Sequence, residues 1–195
     1  MIMAQNSPHY FAVRYETERL ILKMLTADYA EKVCDFLTRN KEVFGKYEPV
    51  TPPNYYTPAY QATMLNCEMQ LALKEETIRY YVFLKENPKQ IIGTVCLHNI
   101  TPHIYSCCEI GYKFDAAYWH MGYAREAVAM GVSIAFAALG LHRVLARVMP
   151  ENTASIRLLK SLLFEEEGLE RESIRIQNVW QDHLRFSLVN HSSNT

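Results

Sequence analysis

Glycine is scarce in this sequence. The 195 residues include only seven glycines, and no two of them lie closer than nine positions apart. The phosphate-binding fingerprints G-x-G-x-x-G and G-x-x-x-x-G-K-[ST] need glycines much closer together, so neither can occur in this chain. The sequence therefore excludes the usual Rossmann dinucleotide site and the Walker-type nucleotide site.

An excess of one charge and long apolar runs are also missing. Lys and Arg number 20 against 21 Asp and Glu, which argues against a dedicated nucleic-acid-binding protein. The uncharged and mostly apolar stretch Ala127–Leu141 has 15 residues, fewer than the roughly 18 to 20 that a membrane-spanning helix needs. The five cysteines form no C-x-x-C pair and no secretory leader is visible. We therefore expect reduced thiols, a cytoplasmic location and no membrane partner.

Strand and helix patterns alternate along the chain without repeats, in the order β-α-α-β-β-β-α-β-α-β-β. Strands are predicted at 20–24, 78–85, 90–98, 106–114, 142–149, 169–176 and 179–189, and helices at 30–37, 59–75, 122–139 and 152–163. This order predicts a single α/β domain, with a mixed, mostly antiparallel sheet and helices on both faces. We expect this domain to span residues 16–190, between an N-terminal extension (1–15) and a disordered tail (191–195).

The turn before the predicted helix 122–139 carries the most informative motif. Residues 119–124 read Trp-His-Met-Gly-Tyr-Ala, with a single glycine at the helix entry. A helix N-terminus presents unpaired backbone N–H groups and the positive end of the helix dipole, so such a turn is a candidate anion site. Its six positions also resemble the pyrophosphate-binding loop, Q/R-x-x-G-x-G/A, of the GNAT acetyltransferase superfamily.

Other segments match the same superfamily at its usual distances. They are Glu18-Arg19-Leu20, Tyr47-Glu48-Pro49-Val50, Glu109-Ile110-Gly111-Tyr112, Leu141-His142-Arg143-Val144, Met149-Pro150-Glu151-Asn152, Ser155, Phe164, Glu167-Gly168 and Trp180-Gln181-Asp182-His183. Together, residues 16–190 resemble the ribosomal-protein-alanine and ribosomal-protein-serine N-acetyltransferase branch. The resemblance implies the GNAT fold, acetyl-CoA as cosubstrate, and direct transfer of its acetyl group to the N-terminal α-amino group of a ribosomal protein.

The resemblance also implies which residues bind the coenzyme. They are the loop residues Trp119, His120, Met121, Gly122, Tyr123 and Ala124, the strand residues Tyr112, Lys113 and Phe114, and Asn152. Backbone groups of the strand residues would pair with the pantetheine arm and polarise the thioester carbonyl, so their side chains would matter little. Asn152 would both cap a helix and contact the arm.

Two residues are expected to carry the proton transfers. Glu109 matches a glutamate base of relatives and would act through a water on an α-amino group, whose ordinary pKa is about 7.7 to 8.0. Water alone, another carboxylate, or a purely structural role for Glu109 are the alternatives. Ser155 matches the serine of the family's Asn-x-x-Ser segment and would protonate the leaving thiolate, unless it only caps a helix.

The acceptor side is harder to read from the residues. Tyr47, Tyr55 and Tyr56 lie in the Pro-rich segment 41–58, a predicted loop that could form a stiff rim around a peptide end or a plain packing loop. His183 is expected at the cleft, and Asp182 beside it as a structural hydrogen-bonding group. Two other functions stay open: acetylation of a small amine, such as a polyamine, amino acid or antibiotic, and a non-catalytic coenzyme-A-binding regulator.

Departures from the family pattern fall at three positions. His120 and Met121 stand where the branch carries glycine and a basic or amide residue, which bears on coenzyme affinity. Leu163 replaces a helix-terminating glycine, which bears on stability.

The histidines and cysteines on and near the strand 106–114 indicate neither a metal site nor a covalent mechanism. The spacing H-x4-H-x3-C-C of His98, His103, Cys107 and Cys108 matches no tight tetrahedral pattern, and adjacent strand residues point to opposite faces. Cys108 also lacks an identifiable His or Asp partner that would make it an acyl-carrying nucleophile. We therefore predict no metal.

Overall fold

The computed structural model describes residues 11–191 and contains one eight-stranded sheet. Its strands are β1 (Arg14–Glu16), β2 (Leu20–Lys23), β3 (Ile78–Leu84), β4 (Ile91–Thr101), β5 (Cys107–Phe114), β6 (Arg143–Val148), β7 (Glu165–Ile176) and β8 (Val179–Val189). They lie in the order β1-β2-β3-β4-β5-β6-β8-β7. All neighbours are antiparallel except β5 and β6, which run parallel. The predicted mixed, mostly antiparallel α/β sheet is confirmed.

Helices cover both faces of this sheet. They are α1 (Ala30–Arg39), α2 (Lys41–Gly45), α3 (Pro58–Leu73), α4 (Tyr123–Ser133) and α5 (Thr153–Ser161). α4 continues into a wider, π-helical turn over Ile134–Ala138, which accounts for the longer helix predicted there. α2 lies inside the predicted loop 41–58, so that part of the prediction is wrong. No helix within residues 11–191 is long and apolar enough to cross a membrane.

The alternation of side chains along β3 divides the core into two clusters. Tyr80 and Val82 pack with α4 and α5 on one face, whereas Tyr81 and Phe83 pack with α1 and α3 on the other. Successive residues of a strand point to opposite faces, so a strand covered on both sides must be apolar throughout. This is why β3 reads as a continuous hydrophobic run. We call the two sides the α4 face and the α1–α3 face.

The sheet begins two residues before the predicted start of the domain at residue 16. β1 already begins at Arg14, and its three residues pair antiparallel with Ile21–Lys23 of β2. The strand is too short to show an alternating pattern, so it could not be predicted from periodicity. Residues 1–10 of the predicted extension and residues 192–195 of the predicted tail lie outside the described residues.

The parallel pair β5–β6 separates after three residues. Cys107, Cys108 and Glu109 pair with Arg143, Val144 and Leu145. Beyond Glu109, β5 continues to Phe114 while β6 diverges from it. α4 is seated directly on the sheet beside this opening, because a Cβ at Gly131 would lie only 2.7 Å from Val95 Cγ1. The fold thus places an unpaired strand edge in front of a helix N-terminus.

Candidate active site

Backbone groups line one edge of the opening between β5 and β6. Residues 110–114 of β5 pair with β4 on one side, and in the described part of the chain no strand pairs with them on the β6 side. Backbone N–H and C=O groups on such an edge seek partners. An extended ligand that carries amide groups can pair with them as an added strand would. This is the expected place for a pantetheine arm.

The loop predicted to bind pyrophosphate forms a tight turn at the start of α4. Gly122 is the N-cap residue and has a φ of +80°, a left-handed conformation that glycine adopts at little cost. His120 has a φ of +62° and stands in the same region without that freedom. The Trp119 ring anchors the turn, because its Nε1 donates to the Phe114 carbonyl at 2.9 Å. The free N–H groups of the first turn of α4 and the helix dipole make this turn a fit for an anion.

Arg19, the residue directly before β2, holds this loop. Its Nη1 donates to the Met121 carbonyl at 3.0 Å, and its Nε pairs with Glu126 Oε2 at 2.7 Å. The guanidinium also lies 4.5 Å from the centroid of the Tyr123 ring. Burial acts to raise the pKa of Glu126, but hydrogen bonds from Thr17 and Arg19 outweigh burial and lower it. The sequence motif contained Arg19, yet it assigned no role to this side chain.

Tyr112 and Ser155 face each other across the α4 side of the opening. The Tyr112 phenol oxygen lies 2.7 Å from Ser155 Oγ, and burial raises the pKa of Tyr112 to about 12. Asn152 is the N-cap of α5, and its Oδ1 accepts from the Ser155 N–H at 3.1 Å. The predicted cap role of Asn152 is therefore confirmed. Since Asn152 supplies the cap, the Ser155 hydroxyl is available to Tyr112.

The side chains of residues 112–114 are more engaged than the sequence indicated. Besides the Tyr112 contact, Lys113 Nζ pairs with Glu48 Oε1 at 2.7 Å. Burial lowers the pKa of Lys113 despite that carboxylate. Phe114 is buried in the α4-face cluster. These side chains thus have partners within the protein, and coenzyme binding by the backbone of residues 112–114 stays a prediction.

Glu109 lies on the α1–α3 face where β5 and β6 begin to separate. Asn99 Nδ2 donates to its Oε1 at 2.8 Å, and Arg147 of β6 forms an ion pair with its Oε2. Arg147 in turn binds Glu170 of β7, 2.7 Å from Nε to Oε2. Burial acts to raise the pKa of Glu109, but hydrogen bonds from Arg147 and Asn99 outweigh it and lower the pKa. The carboxylate is therefore ionised and well stabilised.

A β-bulge brings Asn99 onto Glu109. The register of β4 and β5 shifts between His98 and Thr101, and Asn99 has a φ of +51°. Neighbouring residues on a regular strand point to opposite faces, whereas a bulge can redirect a side chain. Asn99 and Arg147 were missed in the sequence, because neither the bulge nor the β5–β6 contact has a local sequence signal.

The predicted acceptor-side residues divide into exposed and packed groups. Tyr47 is 39% exposed beside Glu48. Tyr55 and Tyr56 pack against the α1–α3 cluster, and burial raises the pKa of Tyr55 to about 12. His183 is only 4% exposed, and its Nδ1 lies 3.1 Å from the Gln181 carbonyl. The structure therefore places Tyr47 at the surface and buries His183 on β8, where it pairs with Glu170 of β7.

Two further contacts involve the β7–β8 hairpin. Gln177, in the turn between β7 and β8, donates from Nε2 to the Glu48 carbonyl at 3.0 Å, so that this hairpin touches the segment after α2. Asp182 Oδ1 accepts from the Glu172 N–H at 2.8 Å, which confirms its structural role.

Burial raises the pKa of the Cys108 thiol to about 12, which disfavours a thiolate nucleophile. Residues 11–191 contain no cluster of His, Cys, Asp and Glu able to hold a metal.

Fold and site together define an acyltransferase that uses a coenzyme A thioester. Residues 19–165 match the model of the acetyltransferase (GNAT) domain family, which is most of the chain. The protein belongs to this family and is an acetyl-CoA-dependent N-acetyltransferase.

Named relatives agree with this assignment. The chain is 36% identical to the uncharacterized N-acetyltransferase p20 of Bacillus licheniformis, over 89% of this chain and 94% of the relative. It is 26% identical to the [ribosomal protein uS5]-alanine N-acetyltransferase of Escherichia coli, over 91% of each chain. The crystal structure of the ribosomal-protein-S5-alanine acetyltransferase from Vibrio fischeri superposes with a TM-score of 0.88 at 27% identity. The superposition covers 94% of this chain and 100% of the Vibrio fischeri chain.

Proposed function

We propose that this enzyme acetylates an N-terminal α-amino group, that of a ribosomal protein, by direct transfer from acetyl-CoA in a ternary complex. The observation that carries the proposal is the β5–β6 opening, with the Tyr112–Ser155 pair on one face and Glu109 on the other. Two relatives whose names specify a ribosomal-protein alanine acceptor support the choice of acceptor.

Acetyl-CoA would lie along the unpaired edge of β5. The pantetheine amides would pair with backbone groups of residues 110–114, and the pyrophosphate would meet the N–H groups of the turn 119–124. Arg19 would hold that turn in its binding conformation through Met121 and Glu126. The strained His120 and the exposed Met121 are the loop positions at which we expect affinity to differ from relatives.

Ser155 would supply the proton for the leaving thiolate. The amine nitrogen attacks the thioester carbonyl carbon, a C–N bond forms and the C–S bond breaks. The Ser155 hydroxyl gives its proton to sulfur and recovers one from solvent, aided by Tyr112 at 2.7 Å. Asn152 fixes Ser155 in the first turn of α5 through the 3.1 Å cap hydrogen bond.

The amine must also lose a proton, and Glu109 is the carboxylate that the sequence predicts for this step. Its assignment stays a prediction, because both carboxylate oxygens are already bound, to Asn99 and to Arg147. A carboxylate stabilised in this way is a weaker proton acceptor than a free one.

A kinetic panel tests the proposal. Initial rates are measured with acetyl-CoA and a peptide that carries a ribosomal-protein N-terminus with alanine or serine first. They are compared with rates on polyamines, free amino acids and aminoglycosides, and with an N-terminally blocked peptide as control. The proposal predicts turnover of the free peptide alone. Turnover only on small amines would contradict the proposal and indicate a small-amine acetyltransferase. Calorimetric binding of acetyl-CoA without turnover of any amine would indicate a non-catalytic regulator.

A further inference from the structure

A glycine leaves a gap in the α1–α3 face of β5. Glu109, Gly111 and Lys113 lie on this face because alternate residues share a side of a strand. The side chains of Glu109 and Lys113 stand on either side of Gly111, which has none. A Cβ built on Gly111 would contact only the His98 ring, at 3.6 Å from Nε2 and 3.9 Å from Cδ2.

His98 therefore reaches over the part of β5 that borders the opening. Its cross-strand partner on β5 is Glu109, and Nε2 is the ring atom nearest to the position that a Cβ of Gly111 would occupy. Gly111 lies two positions after Glu109, the last β5 residue that pairs with β6. The imidazole is thus one strand away from the edge along which the proposed thioester would lie, on the α1–α3 face where Lys113 pairs with Glu48.

The charges around His98 favour a neutral ring. Burial is the largest influence and lowers the pKa of His98; Glu109 on β5 acts to raise it, and Arg79 on β3 and Arg147 on β6 act to lower it further. Among residues 11–191, neither ring nitrogen has a hydrogen-bond partner. An uncharged imidazole with a free nitrogen can accept a proton at neutral pH.

We infer that His98, and not Glu109 itself, takes the proton of the attacking amine, with Glu109 stabilising the imidazolium that forms. The inference rests on the proposed function. The amine N–H proton passes to the unprotonated ring nitrogen of His98 as the C–N bond forms, and His98 later releases it to solvent. Arg147 and Asn99 hold the carboxylate in place as the charge partner of the ring.

The pH dependence of kcat, at saturating acetyl-CoA and peptide, separates the two groups. In the wild-type enzyme, kcat rises as His98 loses its proton, with an apparent pKa below the ordinary value of about 6.5 and distinct from that of an α-amine, about 7.7 to 8.0. His98→Gln is expected to lower kcat about 100-fold, the usual scale for a general base, and to abolish this acidic limb. Acetyl-CoA binding by calorimetry should be unchanged.

Two further variants complete the test. Glu109→Gln removes the anion and leaves Arg79 and Arg147 facing the ring, so the acidic limb should move to lower pH while it persists. His103→Gln, in the exposed β4–β5 turn, is the matched control and should behave as wild type. His98→Asn serves as a second variant if His98→Gln lowers the melting temperature.

The outcomes are distinct. A wild-type enzyme that acetylates no α-amine contradicts the proposed function as well as the role of His98. With an active wild type, retention of kcat and of the acidic limb in His98→Gln or His98→Asn overturns the inference alone. Loss of the limb in Glu109→Gln, with the limb kept in the His98 variants, would make Glu109 the base.

Discussion

The phenol oxygen of Tyr112 lies 2.7 Å from the hydroxyl oxygen of Ser155, although 43 residues separate them in the chain. β5 supplies the tyrosine and the first turn of α5 supplies the serine, so the contact spans the opening between β5 and β6. Tyr112 is largely buried, and burial raises its pKa to about 12, so it stays protonated across the physiological range. The pair is therefore a hydrogen-bonded proton source on the α4 face.

Ser155→Ala should lower kcat about 100-fold, because the thiolate loses its proton donor. Kd for acetyl-CoA, measured by calorimetry, should change little. Tyr112→Phe keeps the Ser155 hydroxyl and should lower kcat by a smaller factor, since solvent can still reprotonate the serine. A Ser155→Ala variant with wild-type kcat and a lowered melting temperature would reduce Ser155 to a structural residue.

Arg19→Ala should weaken acetyl-CoA binding about tenfold, or about 1.4 kcal/mol. The reason is loss of the contacts that Arg19 makes to Met121 and Glu126 in the pyrophosphate turn. Arg14→Ala, which removes an exposed ion pair with Glu16, is the control and should bind normally. Acetyl-pantetheine lacks the pyrophosphate, so Arg19→Ala and wild type should use it equally well. An equal loss with both donors would contradict a role at the pyrophosphate.

Leu163→Gly should stabilise the protein by about 1 kcal/mol. Leu163 follows α5 with a φ of +66° and is 78% exposed, so it bears the left-handed strain without a packing gain. A stabilisation of that size raises Tm by about 2 to 4 °C in a domain of this length. Leu163→Ala keeps the Cβ and should leave Tm nearly unchanged. If both variants raise Tm alike, side-chain exposure and not backbone strain is the cause.

Asp115→Asn should lower the free energy of unfolding by about 2 kcal/mol at pH 7, because Asp115 is buried and accepts from Arg39 Nε at 2.6 Å. Burial acts to raise the pKa of Asp115, but hydrogen bonds from Arg39 and neighbouring groups lower it in the folded state. Its stabilisation is thus complete above the unfolded pKa of about 3.9 and is lost as pH falls through the lower folded value.

Urea unfolding checks this linkage. The difference in the free energy of unfolding between wild type and Asp115→Asn should be largest at pH 7 and should decrease below about pH 4. Asp35→Asn is the matched control, because Asp35 is the exposed second partner of Arg39. A difference that is independent of pH would show that the ionised form of Asp115 contributes nothing.

Long, strongly patterned elements were predictable from the sequence, and so was the turn at Gly122. β3 and β4 were found because their runs are rich in β-branched and aromatic residues, and α5 because Asn152 is a recognisable cap. β1 and α2 were missed, since three or five residues are too few to show a period. The site roles of Glu109 and Ser155 came from the resemblance to a family.

The contacts that surround Glu109 and His98 could not be predicted from the sequence. Arg147 reaches Glu109 because β5 and β6 are parallel neighbours, and Asn99 reaches it because a bulge turns one residue. His98 was considered only as a metal ligand, because the gap at Gly111 exists only once β4 and β5 are in register. Such contacts depend on tertiary register, which local propensity does not determine.

The central claim is direct acetyl transfer from acetyl-CoA to an α-amino group, and tandem mass spectrometry tests it most directly. The acceptor is a peptide with a ribosomal-protein N-terminus, a free α-amine and one internal lysine, incubated with isotopically labelled acetyl-CoA. The account predicts the label on the α-amine, dependent on Ser155 and absent from the lysine. Label on the lysine alone, or none on the peptide with label on a small amine instead, would contradict it.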